Sequence, residues 1–297
     1  MSEIDEASDG EARPMPALRR WVLGARPKTL SLSQVPVLAG TWLAAEAGDW
    51  RLDATVVAMI ATGCIQIGTN LWNDAADAAR GVDMPDRLGP PRVTALGLLN
   101  GAAVRRAALG AFGVAMLAGG YLAWLGGWPI VLIGLVALVL GYAYSSGPWP
   151  LSGLPVGELL VIAFFGVVAV AGTVCLHGGD PLAGQVLALG LVVGFPAAAV
   201  LMLNNHRDRV QDARAGRRTL AILAGPTASR ALYVGALGAG LALGIGLAPS
   251  QWMFAPVLFA AWLSLDIWRL PISAELNRLI ARTGLFQIVL VLAVALG

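Results

Sequence analysis

Along the chain, apolar runs of about twenty residues alternate with short polar segments, and this period sets the whole reading. Runs of that length suit helices that cross a hydrocarbon layer about 30 Å thick. Nine spans are predicted, over Thr29–Ala45, Ala54–Ala76, Val104–Leu125, Trp128–Ser145, Val156–Leu176, Pro181–Leu203, Ala231–Leu247, Trp252–Leu270 and Thr283–Leu296. The polar segments between them are not alike. One alternating set carries nineteen of the 20 basic residues, leaving Arg51 for the other set. Lys and Arg concentrate on the cytosolic side of membrane proteins. The N-terminus is therefore expected in the cytosol, with every second loop returning there.

Composition agrees with this picture. Of the 297 residues, 57% are hydrophobic and 13% charged, where a soluble domain carries about 25% charged residues. The fold class expected is all-α, a polytopic membrane bundle of about nine transmembrane helices, with the lipid bilayer as its surroundings. Residues 1–18, acidic and Pro-containing, are expected to be a disordered cytosolic tail, and 19–297 a single transmembrane domain. Cys64 and Cys175 lie inside apolar runs, far from any CxxC spacing, and read as buried thiols. No nucleic-acid signature is present, no Ser-His-Asp arrangement is seen, and nothing in the pattern sets an oligomeric state. Glycine-rich spacing from Val234 to Gly246 suits close helix packing through small residues.

Two polar clusters break the pattern. The first, "NLWNDAADAARGVD" from Asn70 to Asp83, follows directly on an apolar run; the second, "NNHRDRVQDARAGRRTL", begins at Asn204. A carboxylate at a helix centre costs roughly 2.5 to 3.5 kcal/mol in hydrocarbon, so such residues need partners. Helical neighbours lie three and four apart. Asn70, Asn73, Asp74 and Asp77 therefore share one face, and Asn204 or Asn205 shares another with Asp208 and Asp212. A single Asp pair near a helix end is ordinarily a solvated terminus, but two Asn-Asp clusters on the same side, in the two halves of the chain, point to a site. Two acidic helix ends facing each other would repel unless divalent cations lay between them. Mg²⁺ takes one or two protein carboxylates plus phosphate oxygens, and guanidinium forks match phosphate geometry. The clusters and the arginines beside them read as a metal-bridged diphosphate site.

These residues carry a family resemblance. "NDAADAARGVD" resembles the first Asp-rich motif, and "NNHRDRVQD" the second, of the intramembrane aromatic prenyltransferases of the UbiA superfamily. Within it, "ARPKTL" at Ala25–Leu30, "YSSGPWPLSG" at Tyr144–Gly153 and "AGRRTLAILAG" at Ala215–Gly225 are most similar to the 1,4-dihydroxy-2-naphthoate polyprenyltransferases. The resemblance implies a helical bundle with a cavity open to lipid. In it an allylic polyprenyl diphosphate would ionise and an electron-rich aromatic acceptor would attack. It assigns Asn73, Asp74 and Asp77 to one Mg²⁺ and Asp208 and Asp212 to the other. Lys28, Arg26, Arg80 and Arg207 would neutralise the departing diphosphate, with Asn70, Asp83, Asn204 and Asn205 also at the substrates. Tyr142 and Tyr144 could face the allylic cation or equally be interfacial belt residues. His206 reads as a bystander. The chain departs from the family at Val210, where another acidic residue is common, and at Ser145 and Ser146, where glycines are. Two alternatives are the same chemistry on 4-hydroxybenzoate or another acceptor, and a secondary transporter using its intramembrane Asp and Arg for coupling.

Overall fold

The computed structural model describes residues 15–81, 88–144, 146 and 150–297. The expected tail therefore lies almost wholly outside the described residues, as does Asp83. Ten helices follow in order: α1 (Ala17–Ala25), α2 (Leu30–Glu46), α3 (Leu52–Ala79), α4 (Gly101–Gly126), α5 (Trp128–Ala143), α6 (Gly157–Leu176), α7 (Gly184–Arg214), α8 (Leu220–Leu247), α9 (Phe254–Arg269) and α10 (Leu276–Ala295). Helices α2 to α10 overlap the nine predicted spans in order. Six of the described helices are long and apolar enough to cross a membrane. The other three have 16 or 17 residues, which at 1.5 Å per residue gives about 24–26 Å. The chain is a multi-pass membrane protein.

The two helices bearing the polar clusters outrun their apolar windows. Helix α3 continues to Ala79 and α7 to Arg214, while α8 starts at Leu220 and α10 at Leu276. Their extra turns all stand at one end of the bundle, which is where the site assembles. Short α1 precedes the first span there, its Trp21 and Leu23 packed on Leu71, Val93 and Val104. The main apolar core joins α2 with α6 to α10 around Leu189, Tyr233, Phe286 and Leu290, and a second joins α2 to α5 around Val37, Ala58 and Leu122.

Glycines set the closest approach of helices α6 and α7. A Cβ on Gly166 would lie 2.6 Å from the Cα of Gly194, and one on Gly190 would lie 2.6 Å from the Cα of Val167. Apolar atoms prefer about 3.5–4.0 Å, so no larger residue fits. Along this contact α6 widens into a π-helical turn over Ile162–Val168, a local feature that often marks functional regions. Helix α6 thereby lies flush against the helix that carries the second motif.

The far end of the bundle is pinned by a buried histidine. The Nδ1 of His177 accepts the Arg51 N–H at 3.2 Å, which leaves Nε2 to carry the hydrogen facing Thr41 and Thr55 hydroxyls, each at 3.4 Å. Burial and the nearby Arg51 charge hold the imidazole below its ordinary value. The unfolded chain takes up this proton below about pH 6.5, so His177 contributes its stability above that pH and loses it as pH falls toward the folded-state value. Melting temperature should decline between about pH 7 and pH 5, and His177→Gln should flatten that slope.

Candidate active site

The core of the site is Asp77, on the last turn of α3. It is 3% exposed and accepts from three guanidinium groups: Arg80 at 2.9 Å, Arg92 at 2.9 Å and Arg217 at 3.2 Å. Arg80 reaches it because residues three apart on a helix are neighbours. Arg92 comes from the segment between α3 and α4. Arg217 follows α7 and holds Asp212 by its other nitrogen at 2.8 Å. One guanidinium thus spans a carboxylate from each half of the chain. The expectation that only divalent cations could lie between the acidic helix ends needs amending, since an arginine side chain bridges them. Three arginines against two carboxylates leave this cluster cationic, as an anion-binding site requires.

The position of Arg92 follows from Asp74. That carboxylate is fully buried, and its two oxygens accept the backbone N–H groups of Val93 at 3.0 Å and Thr94 at 2.8 Å. Two charge-assisted bonds to amides of a loop are strong. They clamp the segment after Arg92 onto α3 and so deliver Arg92 to Asp77. Arg26 stands 3.9 Å from Asp74 and adopts φ +54°. A non-glycine residue in this left-handed region costs roughly 1–2 kcal/mol, and such strain gathers at functional sites.

Asn70 holds that strained segment. Its Nδ2 donates to the Ala25 carbonyl at 2.9 Å and to the Thr29 hydroxyl at 3.0 Å, fixing the turn that carries Arg26 and exposed Lys28 against α3. Asn70→Ala strands a backbone carbonyl, at a cost of about 1–3 kcal/mol. If Arg26 and Lys28 grip substrate, it should raise KM for the diphosphate more than it lowers kcat, measured by steady-state kinetics at varied diphosphate. Asn73 is buried on the same face, between Asn70 and Asp77.

The second cluster divides its residues among different tasks. Asp208 is held by Arg207 through two bonds of 2.7 and 2.6 Å. Arg207 is itself buried and donates to Asn277 at 2.6 Å, whose amide reaches the Leu88 carbonyl at 2.9 Å. This chain ties α7 to α10 and to the segment before Arg92. Asn205 donates to Glu158 at 2.8 Å, while Asn204 bonds its own helix at Val200. His206, bound to Ser229 at 2.6 Å and 1% exposed, pins α7 to α8 away from the carboxylates. Asp77, Asp212 and Arg217 are drawn together; Asp208 is set on the Arg207 side of the same helix.

Tyr144 and Tyr142 separate clearly. Tyr144 is partly buried with Arg217, Glu158, Asp212 and Asp77 as its charged neighbours. Tyr142 is 52% exposed and packs against Trp72 at 5.4 Å between centroids. Trp72 also donates to Ser146 at 2.6 Å, anchoring the loop after α5; Ser145 and residues 147–149 lie outside the described residues. Four site residues escaped the pattern of Asn-Asp clusters: Arg92, Arg217, Glu158 and Asn277. Arg217 was in view within "AGRRTL", whereas no sequence signal marks Asn277.

The model of the UbiA prenyltransferase family matches residues 33–291. The chain belongs to the UbiA prenyltransferase family. Among its relatives in that family is a 1,4-dihydroxy-2-naphthoate octaprenyltransferase of Mycobacterium tuberculosis, 35% identical over 95% of this chain and 97% of that protein. A Bacillus subtilis protein of the same name is 31% identical over 86% and 84%. Among solved structures, a UbiA homolog from Archaeoglobus fulgidus bound to GPP and Mg²⁺ superposes with a TM-score of 0.65, covering 93% of this chain and 98% of that one at 14% identity. The UbiA fold thus places both Asp-rich segments of this prenyltransferase at one end of the bundle.

Proposed function

We propose that this enzyme transfers a polyprenyl group from its diphosphate to 1,4-dihydroxy-2-naphthoate, with CO₂ lost as the chain is attached, at the cytosolic face of the cell membrane. The observation that carries the reading is the arginine-rich junction of Asp77 and Asp212. Carboxylates from both halves of the chain meet there amid a surplus of guanidinium groups, as a diphosphate with its metal requires. The names of the relatives support the naphthoate acceptor, and the nineteen basic residues on one set of loops support the cytosolic placement.

The residues present fit Mg²⁺. One guanidinium spans Asp77 and Asp212, so two carboxylates stand close together, and Mg²⁺ takes one or two carboxylates and fills its shell with water and phosphate oxygens. Asp77, Asp212 and the amide of Asn73 would hold it, with Asp208 one turn before Asp212. Bound there, it adds positive charge where the leaving diphosphate gains negative charge. Arg80, Arg92 and Arg217 receive the same anion, with Arg26 and Lys28 approaching from the strained turn. These preplaced cations favour the departing diphosphate over the bound ester and so lower the barrier to C–O cleavage. The electron pair of that bond leaves with the diphosphate oxygen, and the acceptor's ring carbon supplies the pair for the new C–C bond. Asp74 acts by holding Arg92 in place, and Tyr144, a neighbour of Arg217, Asp212 and Asp77, is the aromatic ring assigned to face the allylic cation.

The test is diphosphate release from membranes containing the enzyme, given a polyprenyl diphosphate, Mg²⁺ and the naphthoate. Release should require both substrates and vanish with EDTA. Release unaffected by omitting the naphthoate would point to another acceptor or to hydrolysis.

A further inference from the structure

The C-terminal turn of α7 makes a fixed mount for Arg217. Gly216 takes φ +76°, its N–H bonds the Ala213 carbonyl at 3.1 Å, and the Arg217 N–H bonds the Asp212 carbonyl at 2.9 Å. This is the paired closure of a Schellman turn, and it places residue 217 back alongside residue 212. On the other side, the Arg218 N–H bonds the Gly153 carbonyl at 2.7 Å. The backbone at 217 is therefore held by its own hydrogen bonds, independently of those its side chain makes to Asp212 and Asp77.

That side chain touches the same atoms a cation would take. Its two terminal nitrogens reach Asp212 Oδ1 at 2.8 Å and Asp77 Oδ1 at 3.2 Å, one hydrogen bond to each. Asp77 Oδ1 is shared with Arg80 at 2.9 Å, and Oδ2 is taken by Arg92. A metal ion entering between the two carboxylates must claim lone pairs that the guanidinium holds. Arg80 is fixed on the same helix turn as Asp77, and Arg92 is clamped by Asp74. Arg217 is the partner with a rigid base, a long reach and one bond per carboxylate, so it is the one to yield.

We infer that Arg217 is a built-in stand-in cation, bridging Asp77 and Asp212 before loading and releasing the bridge when a divalent metal takes these carboxylates. The inference rests on the reading of Asp77 and Asp212 as metal ligands. The bridge keeps a positive charge directly between the two buried carboxylates, where breaking a buried ion pair is destabilising. Its cost is competition: metal binds more weakly than the carboxylates alone would allow. On release the guanidinium remains beside the site, positioned for the diphosphate that arrives with the metal.

The experiment uses the purified full-length protein in lipid nanodiscs with Mn²⁺ as the probe, following free Mn²⁺ by electron paramagnetic resonance and melting temperature with and without the ion. Arg217→Gln should melt lower than wild type without metal, bind Mn²⁺ at least about fivefold more tightly, and gain more in melting temperature on loading. Arg217→Lys, whose single ammonium cannot fork across both carboxylates, should fall between the two. Equal or weaker Mn²⁺ binding by Arg217→Gln, with an unchanged metal-free melting temperature, overturns the inference. Should Arg217→Gln fail to fold, Arg217→Lys decides alone, tighter binding supporting the stand-in role and equal or weaker binding overturning it. Asp77→Asn separates the two levels of the argument. Mn²⁺ binding that ignores both Asp77 and Arg217 removes the metal reading and this inference with it, whereas binding that needs Asp77 but ignores Arg217 removes only the inference.

Discussion

Asp77→Asn is expected to lower kcat about 10²–10³-fold, with purified enzyme at saturating concentrations of both substrates. The substitution keeps the shape of the side chain and removes its charge. Three guanidinium groups that converge on Asp77 at 2.9–3.2 Å then surround a neutral amide. Their mutual repulsion disperses the groups that should receive the diphosphate, and the metal loses a ligand at the same time. Asp212→Asn should have a smaller effect, because Asp212 meets Arg217 from the other helix while Asp77 still gathers Arg80 and Arg92. A near-wild-type rate for Asp77→Asn would show that the arginine cluster is a packing device rather than the reaction centre.

The second large effect lies in the bundle itself. Gly194→Leu should lower folding stability by about 3 kcal/mol or more, read as loss of monodisperse protein and a lower melting temperature in detergent. A Cβ at Gly194 would sit 2.8 Å from the Ile162 carbonyl oxygen and 3.1 Å from its Cα. Backbone cannot give way as a side-chain tip can, so α6 and α7 must part. Parting them stretches the 2.8 Å bond between Glu158 and Asn205, so any surviving protein should also turn over slowly. Gly238→Leu is the control, because nothing lies within 4 Å of its added Cβ and the new side chain meets open space.

Much of this was legible in the pattern of the chain, for a physical reason. Hydropathy reports the solvent each segment must match, and the lipid layer fixes segment length, so the nine apolar helices emerged in their order. Where helices leave the apolar layer, hydropathy says nothing about helix propensity. The run from Asn204 to Arg214 is polar yet helical throughout, and α8 begins eleven residues before its apolar window. The same blindness hid α1, whose nine residues mix Arg19 and Arg20 with Trp21 and Leu23.

The site was legible in its carboxylates and less so in its cations. Spacing put Asn70, Asn73, Asp74 and Asp77 on one face, but spacing cannot tell which carboxylate spends its oxygens on backbone amides, as Asp74 does on Val93 and Thr94. That depends on where a loop nineteen residues away returns. Arg217 depends on a helix-ending turn through Gly216, a local event that becomes meaningful only when α3 and α7 stand side by side. Asn277, seventy residues from Arg207, is visible only in three dimensions. Glu158 lies in the first turn of α6, where an acidic residue ordinarily serves only the helix N-terminus. In the folded protein it is 7% exposed, accepts from Asn205, and keeps Oε2 buried without a hydrogen-bond partner among the described residues.

The most direct test of the central claim is the mass of the lipid-extractable product when membranes containing the enzyme receive a polyprenyl diphosphate and Mg²⁺ with 1,4-dihydroxy-2-naphthoate or, separately, 4-hydroxybenzoate. The account predicts a prenylated naphthoquinol that has lost CO₂, formed only with the naphthoate and absent in Asp77→Asn. A prenylated hydroxybenzoate formed alone, or no product from either acceptor where a known enzyme of this family succeeds, would contradict it.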